Sequence, residues 1–287
     1  MSQNKVHFIG GASPSPIDRR DILMSSVLPE FKLPKKFVVE NITPLRSQGD
    51  EGTCVAFACV AMKEWQEQKE KNKYTQLSPR YLYQKCKEID NLPPVPCPEE
   101  STYLRIALDI LLKQGVCEEN YWPYKPCQPG TPIQNADENA RNYKVKAYAI
   151  LDNVEIMKRS LLYNGPFVML TRMYENWFTQ DVSLTGKIPL PGESKSKGGH
   201  AVCVVGYDDD TQYFKFKNSW YDQTNNRWWG EDGYGYLPYQ YIEQKQAENF
   251  FFEAYSTTDL LEDVGQKLVD IRESVLKFIE HMTHLFR

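Results

Sequence analysis

The stretch Gln48–Phe57, "QGDEGTCVAF", sets one cysteine between a glycine-bearing acidic turn and an apolar run. Phe57, Val60, Ala61, Glu64 and Trp65 then recur at helical spacing, so residues 54–70 form a helix that begins at Cys54 and ends in the charged run "QEQKEK". A cysteine in that place has two readings. Buried in a core, it is an inert, small apolar side chain. At a helix N-terminus with an imidazolium beside it, its pKa drops from about 8.5 into the range ~3.5–7.5 and it becomes a nucleophile.

The second reading needs a histidine from elsewhere, and the chain has four: His7, His200, His281 and His284. His7 lies in a loose lead-in and the last two lie in the tail. His200 alone opens a predicted strand within the body, directly after "KGG". A histidine base also needs a partner on its other ring nitrogen. Asn218, in "FKNSW" at the end of the following strand, fits, since adjacent strands bring the two side by side. A tetrahedral intermediate needs donors for its oxyanion. The Cys54 backbone N–H is one, and the Gln48 side-chain amide on the preceding turn is the other.

The flanking sequence suits a folded domain. The 287 residues are 41% hydrophobic and 25% charged with a net charge of −4, and the densest basic stretches, such as "KLPKK", are short. No basic stripe offers itself to nucleic acid. No run approaches the roughly 18 apolar residues of a membrane span, and the first residues lack a secretory apolar core, so the chain reads as cytoplasmic. The seven cysteines include no C-x-x-C pair, which gives no zinc site and no implied cofactor. Cys86, Cys97, Cys117 and Cys127 cluster and allow one or two disulfides in three connectivities.

Along the chain, residues 77–86 form a second helix with Ser78 as cap and Pro79 in the first turn. Residues 101–115 form a third, capped by Ser101 or Thr102 and stopped at Gly115. From residue 143 strands dominate: 143–151, "PFVMLTRM", "HAVCVVGYDDD", "YFKFKNSW" and "GYGYLPY", with a helix over 154–165 and a loop over 184–199. The result is an α+β chain of two lobes. In the tail, Leu261, Val264, Leu268, Ile271, Val275, Phe278, Met282 and Leu285 step by alternating threes and fours. Residues 257–287 thus read as an amphipathic helix, capped by Asp259 with Glu262. It would dock on the body or pair two copies of the chain, in preference to covering the cleft.

With "QGDEGTCVAFA", "GGHAVCVVGYDDDTQYFKFKNSW" and "WGEDGYGYL" in this order, the chain resembles the papain-like (C1-type) cysteine peptidase family over roughly residues 33–256. His200 and Asn218 follow Cys54 by 146 and 164 residues, which suits that family's spacing for the histidine and is late for the asparagine. The resemblance implies a helical lobe over about 45–142 and an antiparallel, β-barrel-like lobe over about 143–256 with 33–44. Residues 1–32 become an N-terminal extension, too short for the family's common inhibitory propeptides. It implies Cys54, His200 and Asn218 as catalytic residues, Gln48 and Cys54 as the oxyanion hole, and Trp220 as a shield over the His–Asn bond. Ser101, Thr102, Leu104, Leu170, Gly199 and Ala201 fall at substrate-binding positions. The apolar ones among them imply a hydrophobic residue two places before the cut in a peptide or protein substrate.

The departures from the family pattern are specific. Glu51 stands where the family has a disulfide cysteine, and with Asp50 it reads as a solvated turn. Val55 replaces an aromatic, and Ser101-Thr102 replaces a glycine pair that lets substrate approach. "YDQTNNRW" adds a loop on the leaving-group side. A restricted cleft leaves two other readings: a binding or regulatory protein on the same fold, or an acyl-transferase.

Overall fold

The structure, a computed structural model, describes residues 8–18, 21–243 and 250–258. The first long helix, α1 (Cys54–Lys71), starts at the cysteine, with Thr53 before it and Asn72 in the left-handed region (φ 50°) ending it. It is buried on nearly every side. Even Lys63 and Glu67, both 2% exposed, pair at 2.7 Å within it. A helix that threads the interior has no need of a narrow apolar stripe. Helix α2 (Pro79–Lys87) is capped as expected, Ser78 accepting from the Tyr81 N–H at 3.0 Å.

Helix α3 (Leu104–Lys113) departs from the sequence reading. Thr102 and Tyr103 are extended, and no side chain caps the helix, so neither Ser101 nor Thr102 is a cap. Gly115, at φ 88°, follows its end. The short α4 (Ala136–Ala140) was not anticipated. Helix α5 (Val154–Asn164) is capped by Asn153 and ended by Gly165. Helices α6 (Gln180–Thr185) and α7 (Gln240–Glu243) are single turns or little more.

The strands are β1 (Ala12–Ser13), β2 (Lys36–Val38), β3 (Thr102–Tyr103), β4 (Ala147–Ile150), β5 (Phe167–Tyr174), β6 (Ser196–Asp208), β7 (Tyr213–Lys217), β8 (Tyr221–Asp222), β9 (Arg227–Trp228), β10 (Tyr234–Pro238) and β11 (Phe251–Thr258). The main sheet runs β10-β7-β6-β5-β11-β4 with antiparallel neighbours. Its ends do not meet, so the barrel-like lobe is an open sheet. Residues 196–199, read as loop, belong to β6, and Thr257 and Thr258, read as helix, belong to β11. The remainder of the tail helix, and any pairing through it, lies outside the described residues.

Strand β6 organises the molecule. One edge takes β5 and then β2; the other takes β7 from Cys203 onward. Before Cys203 that second edge is left open by β7, and β1 joins it, with Ala12 opposite Gly199. Helix α1 packs across β6, and the two halves share one apolar core. Cys97 and Cys127 form a disulfide, whereas Cys86 and Cys117 are free and buried. Among the described residues no helix is long and apolar enough to cross a membrane.

Candidate active site

The residues singled out from the sequence converge where the start of α1 meets β6. His200 and Asn218 sit near facing ends of β6 and β7, and His200 Nε2 lies 2.9 Å from Asn218 Oδ1. The Ser219 N–H donates to the same oxygen at 2.8 Å, which identifies it as the amide oxygen. His200 Nε2 is therefore the donor, and Nδ1 is left as the basic nitrogen. Nδ1 is buried and has no hydrogen-bond partner among the described residues. Trp220 stacks on the imidazole with ring centres 4.1 Å apart, and His200 is fully buried. Trp177, missed in the sequence, meets the same ring edge-on at 6.5 Å.

Cys54 lies on the other wall, and the neighbour of His200 reaches it: the Ala201 N–H donates to Cys54 Sγ at 3.4 Å. Gln48 is held by Ser219, whose hydroxyl donates to its Oε1 at 2.6 Å, and by its own N–H on the Ser219 carbonyl at 2.9 Å. These bonds aim the Gln48 Nε2 group toward the cleft. Ser219 carried no separate signal in the sequence beyond its place in "KNSW".

The cleft is filled. Gln48 Nε2 donates to the Ile9 carbonyl at 3.1 Å, and Trp220 Nε1 donates to the same oxygen at 3.2 Å. From Ile9 the chain crosses Cys54 as Gly10-Gly11. The Thr102 N–H donates to Gly11 O at 3.2 Å, and Ala12–Ser13 pairs parallel with Thr102–Tyr103. Ser13 and Ser101 hydroxyls meet at 3.0 Å. Ser15 then gives both its N–H (3.1 Å) and its hydroxyl (2.8 Å) to Glu253 Oε1. Only glycine fits at the crossing: a Cβ on Gly11 would lie 1.9 Å from Gly52 O, and one on Gly10 2.3 Å from Gly199 O. "FIGGAS" has neither helical nor strand periodicity, so this placement had no local signal.

Burial at the site, under this segment and against Trp177 and Trp220, favours the neutral forms. Desolvation pushes the Cys54 thiol up to about 11, against the amides of Ala201 and Gly11 that favour the thiolate. It pushes His200 down to about 4, against its bond to Asn218. The covered pair is a neutral thiol and a neutral imidazole, not the ion pair expected of an activated nucleophile.

The residues expected to bind substrate are buried or engaged by the N-terminal segment. Leu104 and Leu170 are inaccessible, Ala201 nearly so, and Thr102 and Gly199 are engaged by the N-terminal segment. The long "YDQTNNRW" segment forms the β8–β9 hairpin. Beside it lies an open pocket of about 610 Å³ lined by Ile9, Trp220, Tyr221, Gln223, Asp50 and Glu99.

Glu51 corrects the solvated-turn reading. It is 2% exposed and bound through both carboxylate oxygens to Arg80, whereas Asp50 is exposed.

Residues 33–251 match the model of the papain family cysteine proteases. The chain is 30% identical over 274 residues to an uncharacterized peptidase C1-like protein L477 of Acanthamoeba polyphaga mimivirus, covering 84% of this chain and 85% of that one. It is 27% identical over 200 residues to the viral cathepsin of Cydia pomonella granulosis virus, covering 68% of this chain and 53% of that one. Its structure is similar to xylellain, a cysteine protease from Xylella fastidiosa, with a TM-score of 0.74 and 26% identity over 88% of this chain and 96% of that one. The fold, the family match and these relatives agree: the chain belongs to the papain family of cysteine proteases.

Proposed function

We propose that the chain is a cysteine endopeptidase that works through Cys54, His200 and Asn218 and is latent while residues 9–15 fill its cleft. The observation that carries the reading is the His200–Asn218 bond at 2.9 Å beneath Trp220, with the next residue's N–H on Cys54 Sγ. With the cleft open, water returns to both groups, and the thiol proton passes to His200 Nδ1. The Cys54 sulfur attacks the peptide carbonyl carbon, forming a C–S bond. The carbonyl oxygen becomes an oxyanion held by the Cys54 N–H and Gln48 Nε2. His200 gives its proton to the leaving nitrogen, the C–N bond breaks, and a thioester remains. His200 then takes a proton from water as it attacks the thioester, and the C–S bond breaks to free the acid and Cys54. Asn218 keeps the imidazole in the tautomer this sequence requires.

Leu104, Leu170 and Ala201 support a hydrophobic side chain two residues before the cut. Latency has its own support, since the Ile9 carbonyl takes the Gln48 donor meant for the oxyanion. A binding protein on the same fold would also have a filled cleft, and turnover separates the two readings. A library of unstructured peptides is incubated with the chain, and cleavage sites are mapped by mass spectrometry. Cuts after a hydrophobic–X pair, lost by more than about 10⁴-fold in Cys54→Ala, are expected. Cleavage that survives Cys54→Ala contradicts the assignment of the nucleophile, and cuts with no preference two residues back contradict the specificity.

A further inference from the structure

The turn that carries Gln48 and leads into Cys54 is tied to α2 by charge. Arg80, on α2, donates from one end nitrogen to Glu51 Oε1 at 2.7 Å and from the other to Glu51 Oε2 at 2.5 Å. Arg80 is fully buried and Glu51 is 2% exposed. The pair is itself braced. The second Arg80 nitrogen also donates to the Lys125 carbonyl at 2.7 Å, and the Cys127 N–H donates to Glu51 Oε2 at 2.8 Å. The Tyr124 hydroxyl lies 3.1 Å from Glu51 Oε2 and 2.7 Å from the Gln48 carbonyl oxygen, and the Arg80 guanidinium lies over its ring.

The main chain of Glu51 faces the chemistry. Its carbonyl accepts from Gln48 Nε2 at 2.7 Å and from the Thr53 N–H at 2.8 Å. Thr53 immediately precedes Cys54. Whatever fixes the Glu51 backbone therefore fixes both proposed oxyanion donors. A forked guanidinium–carboxylate pair is suited to this, because two parallel bonds define an orientation as well as a distance. A buried ion pair is weak evidence for stability, since apolar residues of the same volume often hold a core as well. Its geometric constraint is what apolar residues lack.

We propose that Glu51 and Arg80 are positioning residues of the oxyanion hole, a buried ion pair that holds Gln48 Nε2 and the Cys54 N–H in place in a turn where the resembled family has a disulfide cysteine. This rests on the proposed function, because an oxyanion hole has meaning only for acyl transfer.

The test compares two reactions of the full chain. Alkylation of Cys54 by iodoacetamide forms no oxyanion, whereas peptide hydrolysis does. Both wait for the N-terminal segment to leave, so their ratio reports on the hole and cancels the cover. In Glu51→Gln, kcat for a peptide is expected to fall about 10²-fold, the loss seen when one oxyanion donor is removed. KM and the alkylation rate stay within about twofold. Arg80→Lys keeps the charge and loses the fork, and it is expected to fall about tenfold with the same split. It stands in if Glu51→Gln does not fold.

If hydrolysis and alkylation fall together in the variants, the pair is only structural and the inference is overturned. Variants that hydrolyse like the parent overturn it while leaving the endopeptidase reading intact. A parent chain whose Cys54 alkylates but which turns over no peptide overturns that reading, and this inference with it.

Discussion

Two segments meet over Cys54 and are held in opposite ways. The turn of residues 48–53 is locked from beneath by a buried, forked ion pair and runs straight into the 18-residue helix α1. The segment of residues 9–15 lies on top, held by a two-residue strand, the pairing of Ala12 with Gly199, bonds from Gln48, Trp220, Thr102 and Arg105, the Ser13–Ser101 contact, and a pair from Ser15 to Glu253. Its glycines bring it within contact of the turn but add no side-chain burial of their own. The lower segment has the marks of fixed machinery and the upper one those of a detachable cover. Latency of this kind leaves the catalytic groups already built, so activation need only remove a strand.

That contrast can be broken from the upper side first. In Gly11→Val the new side chain runs into the Gly52 backbone, 1.9 Å from where its Cβ must sit. Because the turn below is locked, the cover yields. Overpacking of about 1–3 kcal/mol corresponds to roughly 5- to 150-fold more open cleft. Peptide hydrolysis by the full chain should rise by that factor, and an unchanged rate would mean that the segment does not gate the site.

Acid is the next lever. Burial under residues 9–15 together with Trp177 and Trp220 depresses His200 from 6.5 to about 4. A base with a lowered pKa stabilises the covered state fully above its uncovered value and loses that contribution as the pH falls toward the covered one. The part of the shift that residues 9–15 cause therefore weakens the cover as the pH falls, by less than about tenfold per unit because the two tryptophans stay in place. Burial raises Glu253 while its two bonds from Ser15 lower it, so the cover's own contacts there favour the carboxylate and weaken on protonation. Both groups therefore loosen the cover as the pH falls toward about 4. Hydrogen exchange at the Thr102 amide, which donates to Gly11 O, reads it as a falling protection factor. A protection factor that rises there would reverse the sign.

A smaller effect is expected of Ser15→Ala, which removes the 2.8 Å hydroxyl bond to Glu253 and the acceptor of the Arg105 N–H at 3.1 Å and leaves the backbone bond to Glu253. Bonds to charged groups contribute about 1.5–3 kcal/mol, so alkylation of Cys54 should speed up about tenfold. The smallest is reduction of Cys97–Cys127. The turn is fixed by Glu51 and Arg80, so the ratio of hydrolysis to alkylation should change by less than about twofold. A large change would shift the positioning role to the disulfide.

The sequence was informative where the causes are local. The start of α1, the Ser78 cap of α2 and the Asn153–Gly165 limits of α5 follow from residues a turn apart. His200 beside Asn218 follows from two consecutive strands. It misled where the cause is distant. Glu51 looked solvated because Arg80 is 29 residues away, and no local pattern reports a carboxylate that will be buried. Ser101 and Thr102 have good capping chemistry, but Thr102 pairs instead with a strand 90 residues earlier. The polar start of β6 reads as loop because its partners are β5 and the equally featureless "GGAS".

The central claim is that Cys54 carries the acyl group. A peptide ester is mixed with the full chain, the reaction is quenched in acid during turnover, and the protein is digested for mass spectrometry. An acyl adduct on the Cys54 sulfur is expected, absent from Cys54→Ala and weakened in Glu51→Gln. Turnover with the adduct on another residue would contradict it.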